Sequence, residues 1–321
     1  GAMLVGGLAS AYALFIVYKF YELSDVIIDR QGRQAQYPQF ADFAMASVYC
    51  AGFTAIHFFA RELLRPVARV FLVKKGKWSD EVYEAKLHRF GSAIFKAVWF
   101  GSFSLYTYAV VLKDASWFPP ILGGTGDSKN CWSEGYPFQL LTEEFRFYYC
   151  LATGYHASEL LFQLAFERDR PDLAEMLLHH MTTLFLLVFS YMMNFARVGS
   201  LVLFVHDVSD VPTYLAKIFV DSKYKVVTFV CLLMMLASWG YLRLYVFPMY
   251  IINSTMFESV EVLRREDIIG WYFFNGMLCI LCVLHVYWYS MFIKMGYHYV
   301  AKGETKDMQA NLQAMEKNKA Q

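Results

Sequence analysis

The sequence predicts an all-α polytopic membrane protein with about eight transmembrane helices. Hydrophobic residues make up 57% of the 321 residues and charged residues only 18%, and the mean hydropathy is +0.33. Apolar runs of about twenty residues recur along the chain, which is the length that a helix needs to cross a bilayer. The formal net charge is +1 and no basic arm is present, so nothing indicates a nucleic-acid partner.

Eight predicted spans follow from these runs and from the polar stretches that separate them. Their approximate bounds are 3–20, 41–60, 92–112, 145–166, 174–193, 197–220, 225–247 and 269–293. Three regions result from this division. Residues 1–90 hold two helices and a basic interfacial segment, residues 91–295 hold the other six helices and form the expected catalytic domain, and residues 296–321 form a cytosolic tail.

Basic residues in the loops predict the orientation, because cytosolic loops are enriched in Lys and Arg. The 61–90 loop is rich in both, whereas the 113–144 loop contains only Lys113 and Lys129. The 61–90 loop is therefore expected in the cytosol, together with both termini. The sequon Asn253–Thr255 should then lie in a lumenal loop after the seventh span.

The 61–90 loop also alternates apolar and basic residues. This pattern is typical of a helix that lies on an anionic leaflet. A solvated linker that merely follows the positive-inside rule explains the same residues equally well.

Two neighbouring spans carry ionisable residues that a bilayer rejects. They are Glu175, His179 and His180 in 174–193, and His206, Asp207, Ser209 and Asp210 in 197–220. A carboxylate at mid-membrane depth costs about 2.5–3.5 kcal/mol on insertion scales, so such residues are usually retained for function. With a helical rise of about 1.5 Å per residue, His179 and Asp210 reach a similar depth in the cytosolic half of the membrane. This hairpin is the predicted active site.

Polar stripes on three helices predict a cavity inside the bundle. The stripes comprise Tyr148, Tyr155, Glu159 and Gln163 with His156 at the edge, then Glu175, His179, Thr183, Ser190 and Asn194, then His206, Asp207, Asp210, Thr213, Tyr214 and Lys217. The alternative is that these groups only join the helices by hydrogen bonds. His57 and His285 are single histidines on apolar spans, and we interpret them as packing residues.

An imidazole beside a carboxylate in a low-dielectric pocket suits general-base or nucleophilic chemistry. The predicted cavity would open to the cytosolic leaflet, where basic residues surround its mouth. An amphiphile with an anionic head, such as acyl-CoA, fits this arrangement. The residues concerned, which equally satisfy the positive-inside rule, are Arg168, Arg170, Lys217, Lys223 and Lys225.

Four motifs resemble those of the TLC-domain ceramide synthases. They are CWSEGYPFQ at 131–139, HH at 179–180, FSYMMNFARVG at 189–199 and HDVSD at 206–210. The resemblance covers roughly residues 90–295 and implies a six-helix TLC-type bundle that encloses a polar cavity. It also implies an enzyme of the endoplasmic reticulum membrane that joins a fatty acyl-CoA to the amine of a sphingoid base. The chain ends in Lys317–Gln321, which resembles a dilysine retrieval signal.

The sequence departs from the family pattern at two places. Val211–Tyr214 stands where animal members usually have an unbroken apolar stretch with a Glu, and Tyr155-His156 stands where they often have Tyr-Trp. These departures leave the reaction class in place and the acyl-chain preference open.

The resemblance and the polar stripes together assign roles to particular residues. The catalytic residues are His179, His180, Asp207 and Asp210, supported by His206 and Ser209, and the substrate-binding residues are Glu159, His156, Tyr214, Asn194, Arg197 and Lys217. His179, oriented by an Asp, would attack the thioester or deprotonate the amine, and Ser209 would orient an Asp. No metal and no cofactor are expected, since acyl-CoA is a substrate. The expected partners are the acyl-CoA, the sphingoid base, membrane lipids and a second copy of the chain.

Three other functions compete with this hypothesis. The first is a non-catalytic TLC-domain protein that binds or transports lipids. The second is a di-iron hydroxylase, which needs about eight His in HxxxH and HxxHH clusters; this chain has eight His without either pattern. The third is an ion or proton carrier that uses intramembrane acids.

Overall fold

The computed structural model describes residues 2–74, 78–133, 135–168, 170 and 172–302, and within these residues every regular element is a helix. The predicted all-α class is therefore confirmed. The predicted tail from residue 303, with its dilysine-like end, and Glu134 of the CWSEGYPFQ motif lie outside the described residues.

Eight long helices occupy the predicted spans in the described part of the chain. They are α1 (Ala2–Arg33), α2 (Phe43–Leu63), α4 (Asp80–Leu112), α6 (Glu143–Phe166), α7 (Leu173–Met192), α8 (Ala196–Phe219), α9 (Lys225–Val262) and α10 (Trp271–Lys302), with the short helices α3 (Arg65–Phe71) and α5 (Asn130–Ser133) between them.

Five helices, among them α7, are long and apolar enough to cross a membrane by themselves: Phe40–Leu63, Asp80–Leu112, Leu173–Met192, Lys225–Val262 and Trp271–Ala301. The polar residues of α6 and α8 lower the hydropathy of those two helices. The protein is thus a multi-pass membrane protein, and the count of eight spans stays a prediction.

The residues before two of the long helices explain where they begin. Ser79 precedes α4 and its hydroxyl accepts a hydrogen bond from the Val82 N–H at 3.3 Å. Thr142 precedes α6 in the same way, with a bond from the Phe145 N–H at 3.2 Å. Each side chain satisfies a backbone donor that the first helical turn leaves unpaired.

Helix α9 is longer than predicted and changes the interpretation of the sequon. The apolar run continues past residue 247, and the helix reaches Val262 with a π-helical stretch over Gly240–Ile252. Pro248 lies in this stretch and has no N–H to give to the helix, which favours a local change of hydrogen-bond register. Ser254 and Thr255 are buried within the helix, so the prediction that Asn253–Thr255 lies in a loop is wrong. Its location on the lumenal side stays a prediction.

Helix α2 packs closely against the bundle. A Cβ on Gly154 of α6 would lie 2.8 Å from the Ala46 carbonyl oxygen of α2, and one on Gly91 of α4 would lie 2.8 Å from the Ala60 carbonyl oxygen. Only glycine permits these approaches. As a result α2 joins the six C-terminal helices and brings His57 to the site described below.

The predicted interfacial segment, residues 61–90, comprises the end of α2, helix α3 and the first turns of α4. Ala68 and Leu72 are buried against α4, whereas Val70 is 88% exposed and Leu63 is 73% exposed. Such an apolar exposed face suits contact with a leaflet. The location of α3 on a leaflet stays a prediction.

Candidate active site

Two cavities meet inside the bundle, and three side chains line both of them: His179 of α7, Asp210 of α8 and Arg243 of α9. Polar and charged residues are the majority in the lining of one cavity, whereas the lining of the other is mostly apolar. The site is therefore a junction between two environments.

The polar cavity lies at the end of the bundle that is predicted to face the cytosol. Its lining includes Lys and Arg side chains in excess over carboxylates. The charged residues are Arg61, Arg89, Lys96, Arg170, Lys217 and Arg243 against Glu159, Glu167 and Asp210, accompanied by His88, His179 and His180. This excess of positive charge favours an anionic group.

The apolar cavity continues from the junction toward the opposite end of the helices. Its lining consists mainly of aliphatic and aromatic side chains from α7, α8 and α10, with Trp132 from the 113–144 loop. Of the predicted site residues it contains His156, His179, His206, Asp207 and Asp210. A hydrocarbon chain fits this environment.

Arg243 organises the HDVSD motif, although the sequence analysis did not select it. Its Nη2 lies 2.8 Å from Oδ2 of Asp210 and donates to the His206 carbonyl oxygen at 2.9 Å. Its Nε donates to the Ser209 hydroxyl at 2.6 Å. Ser209 makes no hydrogen bond to either Asp in the described structure, and it contacts Asp210 through the arginine that both of them bind.

His179 has a free imidazole. Neither ring nitrogen is hydrogen-bonded to a described residue, and its Nδ1 is buried. The ring packs edge-on against Trp288 with centroids 5.3 Å apart. Asp207 is 2% exposed and its Oδ2 also has no partner among the described residues. The structure thus places His179 and both acids around one cavity, but it contains no hydrogen bond between His179 and either acid.

His206 has both of its ring nitrogens engaged. Its Nδ1 lies 2.6 Å from the Val202 carbonyl oxygen and its Nε2 lies 3.0 Å from Nε2 of His285. Because a carbonyl can only accept, the proton of neutral His206 resides on Nδ1, and His285 donates to Nε2. His206 is therefore held in place, and His285 contacts a motif residue in addition to packing.

His180 faces the polar cavity beside a buried ion pair. Glu159, which is 6% exposed, pairs with Lys96 through one oxygen, and Nδ1 of His57 lies 3.1 Å from the other. The His57 ring stacks on Phe162 with centroids 3.7 Å apart. Glu159 is therefore paired through Oε2 alone, because Oε1 has no hydrogen bond to a described residue although the His57 ring lies beside it. Sequence reasoning missed Lys96, although a lysine within a predicted span is itself a functional signal.

Tyr214 and Lys217 complete the wall of the polar cavity. The Lys217 ammonium lies 4.6 Å from the centre of the Tyr214 ring. Tyr214 stacks on Phe100, whose side chain also lines the apolar cavity.

Ion pairs also order the turn between α6 and α7. Arg170 binds Glu167 at 2.9 Å and Asp172 at 2.9 Å. Burial opposes ionisation of the Glu167 carboxyl, but nearby Lys96 and Arg170 outweigh burial and hold its pKa below the usual value. Glu167 is therefore an anion at neutral pH and ties this turn to the cavity mouth.

Asn194 and Arg197 line neither cavity. Asn194 adopts a left-handed backbone conformation with φ 59° and donates to the carbonyl oxygens of Pro137 and Gln139 at 2.7 and 2.8 Å. Arg197 donates to the Asn130 carbonyl oxygen at 2.8 Å. These two residues fasten the 113–144 loop to the α7–α8 turn, so the structure does not bring them to the substrate-binding positions that were predicted.

No cluster of three or more His, Cys, Asp or Glu with metal-binding geometry occurs among the described residues. The expectation of a reaction without metal stays a prediction.

The fold and the site define an α-helical membrane protein with a polar junction between its helices. Residues 89–294 match the family model described as the TLC domain. The motifs HH and HDVSD, which supply the junction, lie inside this range. The chain therefore belongs to the TLC-domain ceramide synthase family.

Similar proteins occur in plants and animals. The chain is 29% identical to "ASC1-like protein 3" of Oryza sativa subsp. japonica over 255 residues, which are 78% of this chain and 87% of that protein. It is 31% identical to "Ceramide synthase LOH2" of Arabidopsis thaliana over 222 residues, 68% of this chain and 72% of that protein. It is 36% identical to "Ceramide synthase 4" of Homo sapiens over 184 residues, 57% of this chain but only 46% of that protein.

Proposed function

We propose that this protein is a ceramide synthase that transfers a fatty acyl group from acyl-CoA to the amine of a sphingoid base. The observation that carries the proposal is the junction of a positively charged cavity with an apolar cavity at His179, Asp210 and Arg243. Relatives whose names say ceramide synthase support it.

The two cavities suit the two parts of acyl-CoA. The phosphates of CoA would lie in the polar cavity near Arg170 and Lys217, and the acyl chain would lie in the apolar cavity. The thioester, which joins these parts, would then sit at the junction. A long-chain sphingoid base has the same polar and apolar division, with Glu159, His156 and Tyr214 as further substrate-binding residues.

His179 is the proposed base or nucleophile. Its ring has no hydrogen bond to a described residue, so a nitrogen lone pair is available to the substrate. As a base it takes a proton from the amine, whose nitrogen then bonds to the thioester carbon as the C–S bond breaks. As a nucleophile it first forms an acyl-imidazole and releases CoA, and the amine then takes the acyl group. Either route yields one amide and one CoA thiol.

Asp207, Asp210 and His180 are the other proposed catalytic residues. Asp210 is an ion-pair partner of Arg243 at the junction, and Asp207 borders the apolar cavity. Their negative charges would stabilise the imidazolium that forms on His179. His180 borders the polar cavity.

The decisive experiment offers mixed acyl-CoAs and sphinganine to the purified protein and identifies the products by mass spectrometry. His179→Ala should abolish amide formation. His298→Ala is a matched control, because His298 lies in α10 and lines neither of the two cavities, and it should leave the product yield unchanged. Absence of any amide with the wild-type protein would refute the proposal.

The same samples separate the two routes. Protein incubated with acyl-CoA alone should carry an acyl group on His179 if the imidazole attacks first. A strict need for the amine before any CoA release favours the direct route.

A lipid-binding protein without catalysis is the second candidate, because the apolar cavity would also hold a lipid chain. It predicts bound lipid and no CoA release. The endoplasmic reticulum as the location, and a homodimer as the assembly, are part of our proposal and can be tested by microscopy and by light scattering in detergent.

A further inference from the structure

Arg243 occupies an unusual place for an arginine. It lies in the π-helical part of α9, is 3% exposed, and borders both cavities at their junction. An arginine at the centre of a membrane helix costs about 2.5–3.5 kcal/mol on insertion scales. π-Helical segments are frequent at functional sites. Packing alone gives no reason to keep this residue in an otherwise apolar run.

The guanidinium group is held rigidly from several sides. Asp210, Ser209 and the His206 carbonyl fix Nε and Nη2. The guanidinium carbon also lies 3.9 Å from the centre of the Trp239 ring. These contacts leave Nη1 without a hydrogen bond to any described residue.

The position of Arg243 matches the place where negative charge would develop. If the CoA head lies in the polar cavity and the acyl chain in the apolar cavity, the thioester carbonyl is at the junction. Attack on that carbonyl moves an electron pair onto its oxygen. A fixed donor that points at this oxygen in a water-poor site stabilises the transition state more than the ground state.

We propose that Arg243 is a catalytic residue whose Nη1–H binds the thioester carbonyl oxygen and stabilises the oxyanion. This inference rests on the proposed acyl transfer. Ser209 then acts as a positioning residue for the guanidinium, and Asp210 has this role in addition to the one proposed for it beside His179. The arrangement serves the direct and the acyl-imidazole route alike, because both pass through a tetrahedral carbon.

The reaction balances without any further reactant. The amine nitrogen, or the imidazole nitrogen first, forms a bond to the carbonyl carbon, and the C=O electron pair moves to the oxygen beside Arg243. When the C=O bond re-forms, the C–S bond breaks. In the direct route the sulfur takes the proton that the amine releases. In the acyl-imidazole route the sulfur takes the proton of the imidazole N–H, and the amine returns a proton to the imidazole when the amide forms. The products are the amide and CoA.

The test compares catalysis with binding in Arg243→Gln. The glutamine side chain is polar, but it lacks the positive charge and most of the N–H donors of arginine. We expect kcat to fall by about 10²–10³-fold, as for the loss of one oxyanion donor. The affinity for an S-alkyl-CoA, a thioether without the carbonyl oxygen, should stay within about threefold, because that ligand lacks the atom that Arg243 would bind.

Two variants serve as controls. Arg264→Gln alters an exposed arginine that pairs with Asp267 outside both cavities, so kcat per folded protein should not change. Arg243→Lys retains the charge but not the planar group of donors, so it should bind the thioether normally and keep only part of the rate. If Arg243→Gln does not fold, Arg243→Lys decides the question by the same comparison.

Several results would overturn the inference. One is a kcat of Arg243→Gln within threefold of wild type. Another is a loss of thioether affinity as large as the loss of kcat/KM, which would indicate a structural role. If the wild-type protein forms no amide, the proposed function fails. If it forms amide and Arg243→Gln does so equally well, only the role of Arg243 fails.

Discussion

Glu159→Gln tests the buried ion pair that Glu159 and Lys96 form in the wall of the polar cavity. In the wild-type protein Glu159 pairs with Lys96, and the two side chains are 7% and 15% exposed. The substitution leaves the Lys96 ammonium without its anion in a poorly hydrated place. Breaking a buried ion pair from one side costs about 3–5 kcal/mol.

The lower end of this range, about 3 kcal/mol, applies here because both residues border a polar cavity that water can enter. With an unfolding entropy of about 2.1 cal/mol/K per residue, each kcal/mol shifts the melting temperature of a chain of this size by about 1.5 °C. The melting temperature of Glu159→Gln in detergent, followed by tryptophan fluorescence, should therefore fall by about 4–5 °C.

Lys96→Met combined with Glu159→Gln should recover most of the loss, because the double variant contains no unpaired charge. Glu261→Gln is the control, since Glu261 pairs with Lys129 on the surface and both side chains are exposed. Its melting temperature should match the wild type. If the double variant melts as low as Glu159→Gln, the loss does not come from the unpaired lysine and our reasoning is wrong.

Three further predictions concern the frame around the site. Gly199→Ala should lower the melting temperature, because a Cβ there would lie 1.8 Å from the Tyr149 hydroxyl oxygen; adding Tyr149→Phe should restore part of the stability, and no recovery would contradict the packing. Asn194→Ala should expose the 113–144 loop to limited proteolysis, and wild-type protection would show that the side chain does not fasten it. Acid should destabilise the protein as the pH falls below about 5, because the pKa of Glu167 is lower in the folded than in the unfolded protein. The ionised carboxylate therefore contributes stability, and this stability is lost when the carboxylate is protonated. Glu167→Gln should weaken the dependence of stability on pH. An unchanged pH profile in this variant would contradict the role given to Glu167.

The sequence predicted the helical class and the place of the site because both depend on local rules. Apolar runs of membrane length mark the helices, and the cost of burying a charge marks His179 and Asp210. Helix geometry was then enough to place α7 and α8 side by side with these residues at one depth.

Partners that are distant in the chain were not predictable in this way. Arg243 meets Asp210 only because α9 packs on α8 and has a π-helical turn, and periodicity at 3.6 residues contains no sign of that turn. The rule that selected the acids applies to Arg243 as well, since it is a charge in an apolar run. Applied to every span, it would have found Arg243 and Lys96.

Asn194 and Arg197 illustrate the opposite error. Both are polar, both lie in a motif, and the resemblance to a family made a substrate role attractive. The structure gives them backbone carbonyl partners in a distant loop. A motif residue can therefore stabilise the fold instead of binding substrate, and only its tertiary contacts distinguish the two roles.

The most direct test of the central claim is the position of a bound S-alkyl-CoA, determined by electron cryomicroscopy of the protein in lipid nanodiscs. Our account predicts the sulfur at the junction of His179, Asp210 and Arg243, the alkyl chain in the apolar cavity and the phosphates in the polar cavity. A sulfur away from these three side chains, or a chain that lies outside the apolar cavity, would contradict it.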